Sequence, residues 1–300
     1  LVNKLIMNEQ IVKGAILTKK NSIQEQVNLG VSLLAKVSES AKLDSQVLLS
    51  FVLNKEINYL YTWPERVLTT QELLSFKLLL QERLLGKPIA YITGVKEFWS
   101  LDFFCNISTL IPRPDTEVLI EQVLVEAEQH LINKVSCIDL GTGTGAIAIA
   151  LASEKPEWDI EAIDYSEEAI TLAKKNAQQH NINNVRIYQS DWFSAVEVNK
   201  KFDIIISNPP YIDEKDIHLT QGDVRFEPLS ALVAKKNGLA DIEKITQQAM
   251  PHLKKGGYLY FEHGYNQAEQ VQNILSERKF NLIKTIKDYA GNNRITFGVF

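Results

Sequence analysis

The sequence contains little of what several classes of protein require. It has two cysteines, Cys105 and Cys137, in separate apolar segments, which predicts two buried reduced thiols rather than a disulfide framework. No apolar run is long enough to cross a bilayer and no secretory pattern opens the chain, so we expect a cytoplasmic protein. The five histidines form no cluster at metal-ligand spacing, and we expect no metal.

The chain also lacks a basic excess. Its 32 Lys and Arg against 37 Asp and Glu give a formal net charge of −5. A protein that binds nucleic acid through its own field is usually basic, so we expect no direct DNA binding, although a local basic patch could exist within an acidic total. A chain of 300 residues with 45% hydrophobic and 23% charged residues is typical of a globular protein with two compact units.

The N-terminal third is predicted to be helical after a short appendage. Residues 1–21 show no clear period, whereas residues 22–89 follow a helical period throughout. Capping-box patterns start two helices, from Ser22 to Glu25 and from Thr69 to Glu72, and Gly86 ends the second. Residues 22–90 carry seven basic and seven acidic side chains. This neutrality favours a small substrate-docking bundle or a lid over a DNA-reading helix-turn-helix.

Residues 90–112 change character. Strand formers such as Tyr91, Phe98 and Phe103 are interrupted by Gly94, which predicts a hairpin that links two domains. Two prolines, Pro112 and Pro114, close this segment.

Residues 113–300 alternate between strand and helix patterns. The predicted strands are 135–140, 159–164, 185–189, 202–207, 257–263, 282–287 and 294–300. Helices are expected between the first six, least clearly after Gln189. This repetition predicts an α/β doubly wound sheet. The last two strands are joined by a short turn and must pair antiparallel. That closing hairpin is typical of the methyltransferase version of the fold rather than of the purely parallel dinucleotide-binding version.

A glycine-rich run follows the first predicted strand and opens a helix. The residues that we predict to bind a cofactor here are Asp139, Gly141, Thr142, Gly143, Thr144 and Gly145. The glycines let the chain turn tightly and bring its backbone close to a ligand. Taken alone, the run also satisfies the dinucleotide fingerprint, or serves only to tighten a strand-to-helix turn.

Two further strand ends meet the same edge of the predicted sheet. Asp164 ends the second strand, where its carboxylate can accept from both ribose hydroxyls or cap the next helix. Asp191 and Trp192 follow the third strand. This carboxylate can accept from the exocyclic amine of adenine, and the indole can cover the base or pack in the core. Together the three elements predict a site shaped for a nucleoside.

Asn208, Pro209, Pro210 and Tyr211 come directly after the fourth predicted strand. An amide or aromatic amino nitrogen is a poor nucleophile because its lone pair is delocalised. The Asn208 side-chain carbonyl and the Pro209 main-chain carbonyl can each accept one N–H bond, which turns the nitrogen towards the sulfonium methyl of S-adenosylmethionine, while Tyr211 stacks on the flat group. We predict Asn208, Pro209 and Tyr211 as catalytic, all four residues as substrate-binding, and Asn208 also as cofactor-binding. The alternative interpretation is that Pro209 and Pro210 only end the strand and that Asn208 caps a turn.

Beyond this loop the chain resembles the HemK/PrmC family, whose members methylate the glutamine of the Gly-Gly-Gln motif in class 1 peptide chain release factors. The resemblance runs from about residue 22 to the C-terminus. The stretches that carry it are 41–44, 86–94, 98–99, 111–117, 139–145, 208–211, 226–228, 262–264 and 292–294. The run Pro112-Arg113-Pro114-Asp115-Thr116-Glu117 is the most specific of these, since nucleic-acid methyltransferases have no reason to share it.

The resemblance implies a class I Rossmann-like methyltransferase domain, a helical N-terminal domain that helps to hold the release factor, and S-adenosylmethionine as methyl donor with S-adenosylhomocysteine as product. It places the N5 amide of glutamine at residues 208–211 and implies that Arg113 and Glu117 contact the substrate or form interdomain salt bridges. We expect a monomer. One departure is Lys235-Lys236-Asn237, where the family usually has a glycine; we interpret it as a change of a surface loop.

Other functions remain open from the sequence. The nearest is N5-methylation of a ribosomal-protein glutamine, which the 113–117 run disfavours. DNA adenine N6-methylation is further away, because the chain lacks a basic target-recognition domain and a duplex base must be flipped out at an energetic cost. A nucleoside-binding module without catalysis is the third, and the intact Asn208 and Pro209 count against it.

Overall fold

The computed structural model describes residues 21–130 and 134–300. The predicted appendage, apart from Asn21, lies outside the described residues. The chain divides into two compact units after Thr93. Within the described residues, no helix is both long and apolar enough to cross a membrane.

The described part of the first unit, from residue 21 onward, contains five helices: α1 (Ile23–Leu34), α2 (Ala41–Leu53), α3 (Ile57–Thr62), α4 (Thr70–Leu84) and α5 (Ile89–Thr93). Both predicted capping boxes form, one at Ser22 and one at Thr69. Apolar side chains from α1, α2 and α4 meet in one core, which includes Ile23, Leu34, Leu48, Leu49, Phe76 and Leu80. Three apolar members of the predicted helices, Leu43, Phe51 and Leu74, instead lie at the surface.

A buried ion pair joins two helices of this unit. Arg83 on α4 donates from Nε to Asp44 Oδ2 on α2 at 2.7 Å, and both side chains are less than a tenth exposed. The hydroxyls of Ser38 and Ser40 donate to the same carboxylate. These hydrogen bonds offset the desolvation of the two charges, so the pair holds α2 and α4 together only while both partners are present.

Replacement of Arg83 by methionine leaves Asp44 buried without its cation. We expect Arg83→Met to lower the free energy of unfolding by about 3 kcal/mol, as measured by denaturant titration. The double variant Arg83→Met/Asp44→Asn removes the uncompensated charge and should recover most of that loss. A loss below about 1 kcal/mol in the single variant, or no recovery in the double variant, would contradict this description of the pair.

The second unit opens with the hairpin of β1 (Val95–Phe98) and β2 (Leu101–Phe104). The prediction that the hairpin begins at residue 90 is wrong, because Ile89–Thr93 forms α5. Pro88 lies directly before this helix, and its carbonyl accepts from Tyr91 N and Ile92 N. A proline at the start of a helix has the required φ and no N–H to leave unpaired, and here it outweighs the strand propensity of the residues that follow.

A seven-stranded sheet forms the centre of the second unit. Its strands are β3 (Ser136–Leu140), β4 (Asp159–Asp164), β5 (Val185–Gln189), β6 (Phe202–Ser207), β7 (Leu253–Glu262), β8 (Asn281–Lys287) and β9 (Asn293–Val299). They lie in the order β5-β4-β3-β6-β7-β9-β8. The strands from β3 to β7 pair parallel, whereas β9 pairs antiparallel with both β7 and β8. The predicted doubly wound sheet with an antiparallel last strand is confirmed.

Helices cover both faces of this sheet. One face packs against α6 (Glu117–His130), α7 (Ala146–Glu154) and α8 (Glu167–Gln179). The other packs against α9 (Ala240–Ala249) and α10 (Ala268–Glu277). Cys105 and Cys137 are buried and unpaired, as predicted.

The prediction of a helix between each of the first six strands is wrong for the connection from β5 to β6. That segment contains only a 3-10 turn, Trp192–Ala195. The sheet there carries a buried carboxylate, Glu161 on β4, which forms ion pairs with Arg186 and Lys200. Polar side chains therefore cover this part of the sheet where a crossover helix would otherwise bury apolar ones.

Candidate active site

A cleft of about 530 Å³ opens at the carboxyl ends of the parallel strands. The loops that follow β3, β4, β5 and β6 each contribute to its wall, as does the segment 108–116 that precedes α6. Parallel strands that end at one edge of a sheet bring their following loops together, which is why ligands bind at this edge in such folds. The predicted site residues are therefore largely brought into one place.

The glycine-rich run forms the floor of the cleft after β3. Gly141 and Thr142 donate their backbone N–H groups to Ile163 O on β4, at 2.9 and 2.8 Å. Gly141 and Gly143 adopt φ of +74° and +55°, the left-handed region that favours glycine. Gly145 is not among the cleft-lining residues: it starts α7, and a Cβ there would lie 2.8 Å from Ile149 Cδ1. Its contribution is close packing of the helix.

Asp139 lies beneath this loop and does not line the cleft. Its side chain is buried within β3 and accepts from the Thr142 hydroxyl at 2.5 Å. Burial raises the pKa of the Asp139 carboxyl to about 7, and the Thr142 hydroxyl opposes that rise. The structure thus gives Asp139 a contact that shapes the loop, while its predicted cofactor contact stays a prediction.

Asp164 lines the cleft at the end of β4. Its Oδ2 accepts from Gly143 N and its Oδ1 from Ser166 N, both at 2.9 Å. The helix cap is a different residue, because Ser166 is the N-cap of α8 and accepts from Ala169 N. Burial raises the pKa of the Asp164 carboxyl, whereas these backbone donors lower it. Each carboxylate oxygen retains further lone-pair capacity for a ligand hydroxyl.

The loop after β5 presents Asp191 and Trp192 to the cleft. Trp192 adopts a φ of +47°, and the Ser190 hydroxyl donates to its main-chain carbonyl at 2.5 Å. The indole packs over Gly141, where a Cβ would lie 3.5 Å from Cζ3, and it also contacts the apolar core beside it. Asp191 is exposed and accepts from Lys244 Nζ of α9 at 2.9 Å. Lys244 also lines the cleft and was missed by the sequence reasoning.

The loop after β6 is divided between the cleft and the layer below it. Asn208 and Pro210 line the cleft, whereas Pro209 and Tyr211 do not. Asn208 Nδ2 donates to Thr116 Oγ1 at 3.4 Å. Tyr211 Oη donates to Glu262 Oε1 at 3.4 Å, and burial raises the pKa of this phenol. Stacking of Tyr211 on a substrate therefore stays a prediction, while its hydroxyl has a partner inside the protein.

Glu262, the last residue of β7, is buried beneath this loop. Its Oε2 accepts from the Thr116 hydroxyl at 2.6 Å. Burial raises the pKa of the Glu262 carboxyl, while the Thr116 hydroxyl and the nearby Arg294 guanidinium lower it. The 2.6 Å separation is in the range of a hydrogen bond from a hydroxyl to an ionised carboxylate.

The far end of the same loop is held by Gly238 and Gln267. Gln267 Nε2 donates to Tyr211 O at 2.9 Å, and its Oε1 accepts from Gly264 N at 2.8 Å. Gly238 has a φ of +83°, and a Cβ there would lie 1.9 Å from Tyr211 O. Lys236, two positions earlier, has a φ of +57°, the left-handed region that favours glycine. Lys235, Lys236 and Asn237 are exposed, as expected of a surface loop, and the neighbouring Gly238 is the residue that packs on the Tyr211 backbone.

Arg113 and Glu117 each have a hydrogen-bonding partner within the second unit. Arg113 pairs with Glu227 at 2.6 Å, and Glu227 also accepts from Ile111 N at 3.0 Å. Glu117 accepts from Trp99 N at 2.8 Å. These contacts lie within the second unit, and a salt bridge between the two domains stays a prediction. Arg113 lines the cleft, and its contact with a substrate stays a prediction.

Sequence reasoning assigned no individual role to Thr116, Glu262, Gly238 or Gln267. The partners of these residues lie far away along the chain; Thr116 and Glu262 are 146 positions apart. One signal was present: Glu262 directly follows the apolar stretch 258–261, and a buried charge at the end of such a stretch requires a partner.

Two family models match the chain. A methyltransferase domain matches residues 132–294, and a PrmC N-terminal domain matches residues 25–94. A methyltransferase of known structure from Pyrococcus furiosus superposes with a TM-score of 0.50 and 21% identity, covering 73% of this chain and 96% of that one. This likeness concerns the fold alone.

Two curated relatives are similar over most of their length. The release factor glutamine methyltransferase of Aliivibrio fischeri is 50% identical over 268 residues, which is 89% of this chain and 93% of the relative. That of Escherichia coli is 47% identical over 263 residues, which is 88% of this chain and 94% of the relative. Both spans include the helical unit and the cleft-bearing unit. The chain therefore belongs to the release factor glutamine methyltransferase family.

Proposed function

We propose that this protein transfers a methyl group from S-adenosylmethionine to the side-chain N5 of the glutamine in the Gly-Gly-Gln motif of class 1 peptide chain release factors. The observation that carries the proposal is the placement of Asn208 on the wall of a cleft whose other walls suit a nucleoside. Membership of a family whose relatives carry this activity in their names supports the choice of substrate.

The cleft suits S-adenosylmethionine in size and chemistry. Its volume of about 530 Å³ lies within the range of small-molecule sites. Gly141 lacks the side chain that would fill the space beside the Trp192 indole. Asp164 would accept from the ribose hydroxyls, and Trp192 would cover the adenine face. Asp191 would accept from the adenine amine after its ion pair with Lys244 has opened.

The bound cofactor supplies an electrophilic methyl group on a positively charged sulfur. The task of the chain is to present the glutamine nitrogen, a poor nucleophile because of amide resonance. The Asn208 side-chain carbonyl, which lines the cleft, would accept one of its two N–H groups. The Pro209 main-chain carbonyl is predicted to accept the other, although Pro209 does not itself line the cleft. This fixes the nitrogen in the direction of attack and disfavours delocalisation of its lone pair.

The cleft supports a reaction without a dedicated base. Its carboxyl groups, among the described residues, are Asp164, Asp191 and Asp241, which follow β4 and β5 or lie on α9. Glu262 lies below Asn208 but accepts from the hydroxyls of Thr116 and Tyr211. A methylated amide nitrogen is strongly acidic before it loses its proton, so water suffices to take that proton.

Mass spectrometry of a class 1 release factor incubated with the protein and S-adenosylmethionine tests the proposal. We expect one added methyl on the Gly-Gly-Gln glutamine. In Asn208→Ala the rate at saturating S-adenosylmethionine should fall by about 10²- to 10³-fold, because the reacting amide loses its acceptor. Asn183→Ala, the same change in an exposed loop, should leave the rate unchanged.

No methyl on that glutamine, with cofactor binding shown separately, would overturn the substrate assignment; the next candidates would then be a ribosomal-protein glutamine and DNA adenine. An unimpaired rate in Asn208→Ala would overturn the role of Asn208.

Gly238→Ala tests whether the backbone below Tyr211 must stay in place. The new Cβ would lie 1.9 Å from Tyr211 O, so the loop must move, and we expect the rate of methyl transfer to fall at least about tenfold. Gly256→Ala is a matched control, since Gly256 has a φ of +79° but nothing within 4 Å of its Cβ. Equal loss of transfer rate in both variants would attribute the effect to backbone strain alone and contradict the contact.

A further inference from the structure

Three side chains from separate parts of the chain form one line that runs from the wall of the cleft, at Asn208 and Thr116, to the buried Glu262 below it. Asn208 follows β6, Glu262 ends β7, and Thr116 ends the 3-10 turn Pro114–Thr116 before α6. Ser207 of β6 pairs with Phe261 of β7, so the residues that follow, Asn208 and Glu262, emerge side by side. Thr116 Oγ1 lies between them, 3.4 Å from Asn208 Nδ2 and 2.6 Å from Glu262 Oε2.

This line has a fixed direction. A hydroxyl has one proton, and Thr116 donates it to Glu262 Oε2 at 2.6 Å. The Thr116 oxygen can then only accept from the other side. The Asn208 atom that faces it must therefore be the NH2 group, and the carbonyl of the same amide must face away.

We propose that Thr116 and Glu262 are positioning residues that set the orientation of the Asn208 amide, so that its carbonyl oxygen and not its NH2 group meets the substrate nitrogen. The inference rests on the proposed function and deepens it. No hydrogen bond from a described residue reaches Asn208 Oδ1, which leaves that oxygen for a ligand.

The orientation matters because the two ends of an asparagine amide have nearly the same shape but opposite hydrogen-bonding character. A reversed amide would set N–H donors against the N–H donors of the substrate glutamine. The nitrogen would then lose one of the two acceptors that restrain its lone pair. Burial of Thr116 and Glu262 keeps water from supplying an alternative partner that would let the amide turn.

Thr116→Val and Thr116→Ser form the matched pair that tests this inference. Valine preserves the shape of threonine without its hydroxyl, and serine preserves the hydroxyl. With a class 1 release factor as substrate, we expect kcat to fall at least about tenfold in Thr116→Val and to stay within about threefold of wild type in Thr116→Ser. The cofactor Kd from calorimetry should be unchanged in both, and Thr116→Ala, a second variant without the hydroxyl, should match Thr116→Val.

The rate of methyl transfer in the double variant Thr116→Val/Asn208→Ala distinguishes an action through Asn208 from a general structural role of Thr116. If Thr116 acts through Asn208, its replacement causes no further loss once the Asn208 amide is gone. A multiplied loss in the double variant, or equal losses in Thr116→Ser and Thr116→Val, would overturn the inference. A wild-type protein that leaves the release factor unmethylated would instead overturn the proposed function on which it rests.

Discussion

The site depends first on the parallel pairing of β3 with β6. Leu140 pairs with Ser207, and the Ser207 hydroxyl donates to Leu140 O at 2.8 Å. The next residue on each strand, Gly141 and Asn208, therefore leaves the sheet at the same level. One strand is followed by the loop that suits a nucleoside and the other by the loop that suits an amide. Their closeness follows from strand register and needs no flexible element to bring them together.

A second constraint acts below the surface of the cleft. The loop that starts at Asn208 is held at one end by Thr116 and Glu262 and at the other by Gly238 and Gln267. Buried polar groups cost free energy unless they are hydrogen-bonded, and each of these has a partner. Such a network adds less to stability than apolar packing of the same volume would, but it defines one orientation for every amide and hydroxyl in it. For methylation of an amide, that definition is what the reaction requires.

Much of the fold could be predicted from the sequence, because it follows from local patterns. The bounds predicted for β4, β5 and β6 are those observed. In β6 the apolar run Ile204–Ile206 marks a strand that is buried on both faces. The wrong predictions of secondary structure occur where a neighbouring residue or a contact distant in sequence determines which element forms. The strand formers after Pro88 belong to α5 and not to a hairpin. In the connection from β5 to β6, where a crossover helix was expected, Lys200 instead forms an ion pair with the buried Glu161, which also pairs with Arg186.

The residues of the candidate site could likewise be predicted only in part. Residues at strand ends, such as Asp164, Trp192 and Asn208, could be placed because topology brings strand ends together. The partners that orient them could not be, because Thr116 and Glu262 meet only once α6 and β7 have packed. Asp139 and Gly145 were also predicted to bind the cofactor, and neither residue lines the cleft.

In the proposed reaction, the loops after β3 and β6 hold the methyl donor and the amide nitrogen next to each other. This can be measured by calorimetry with a bisubstrate analogue, in which the 5′ carbon of adenosine is linked through a short chain to the amide nitrogen of glutamine. We expect tighter binding of the analogue than of adenosine or glutamine separately, and a loss of affinity in both Asp164→Ala and Asn208→Ala. An affinity no higher than that of the better fragment, or a loss in only one of the two variants, would contradict it.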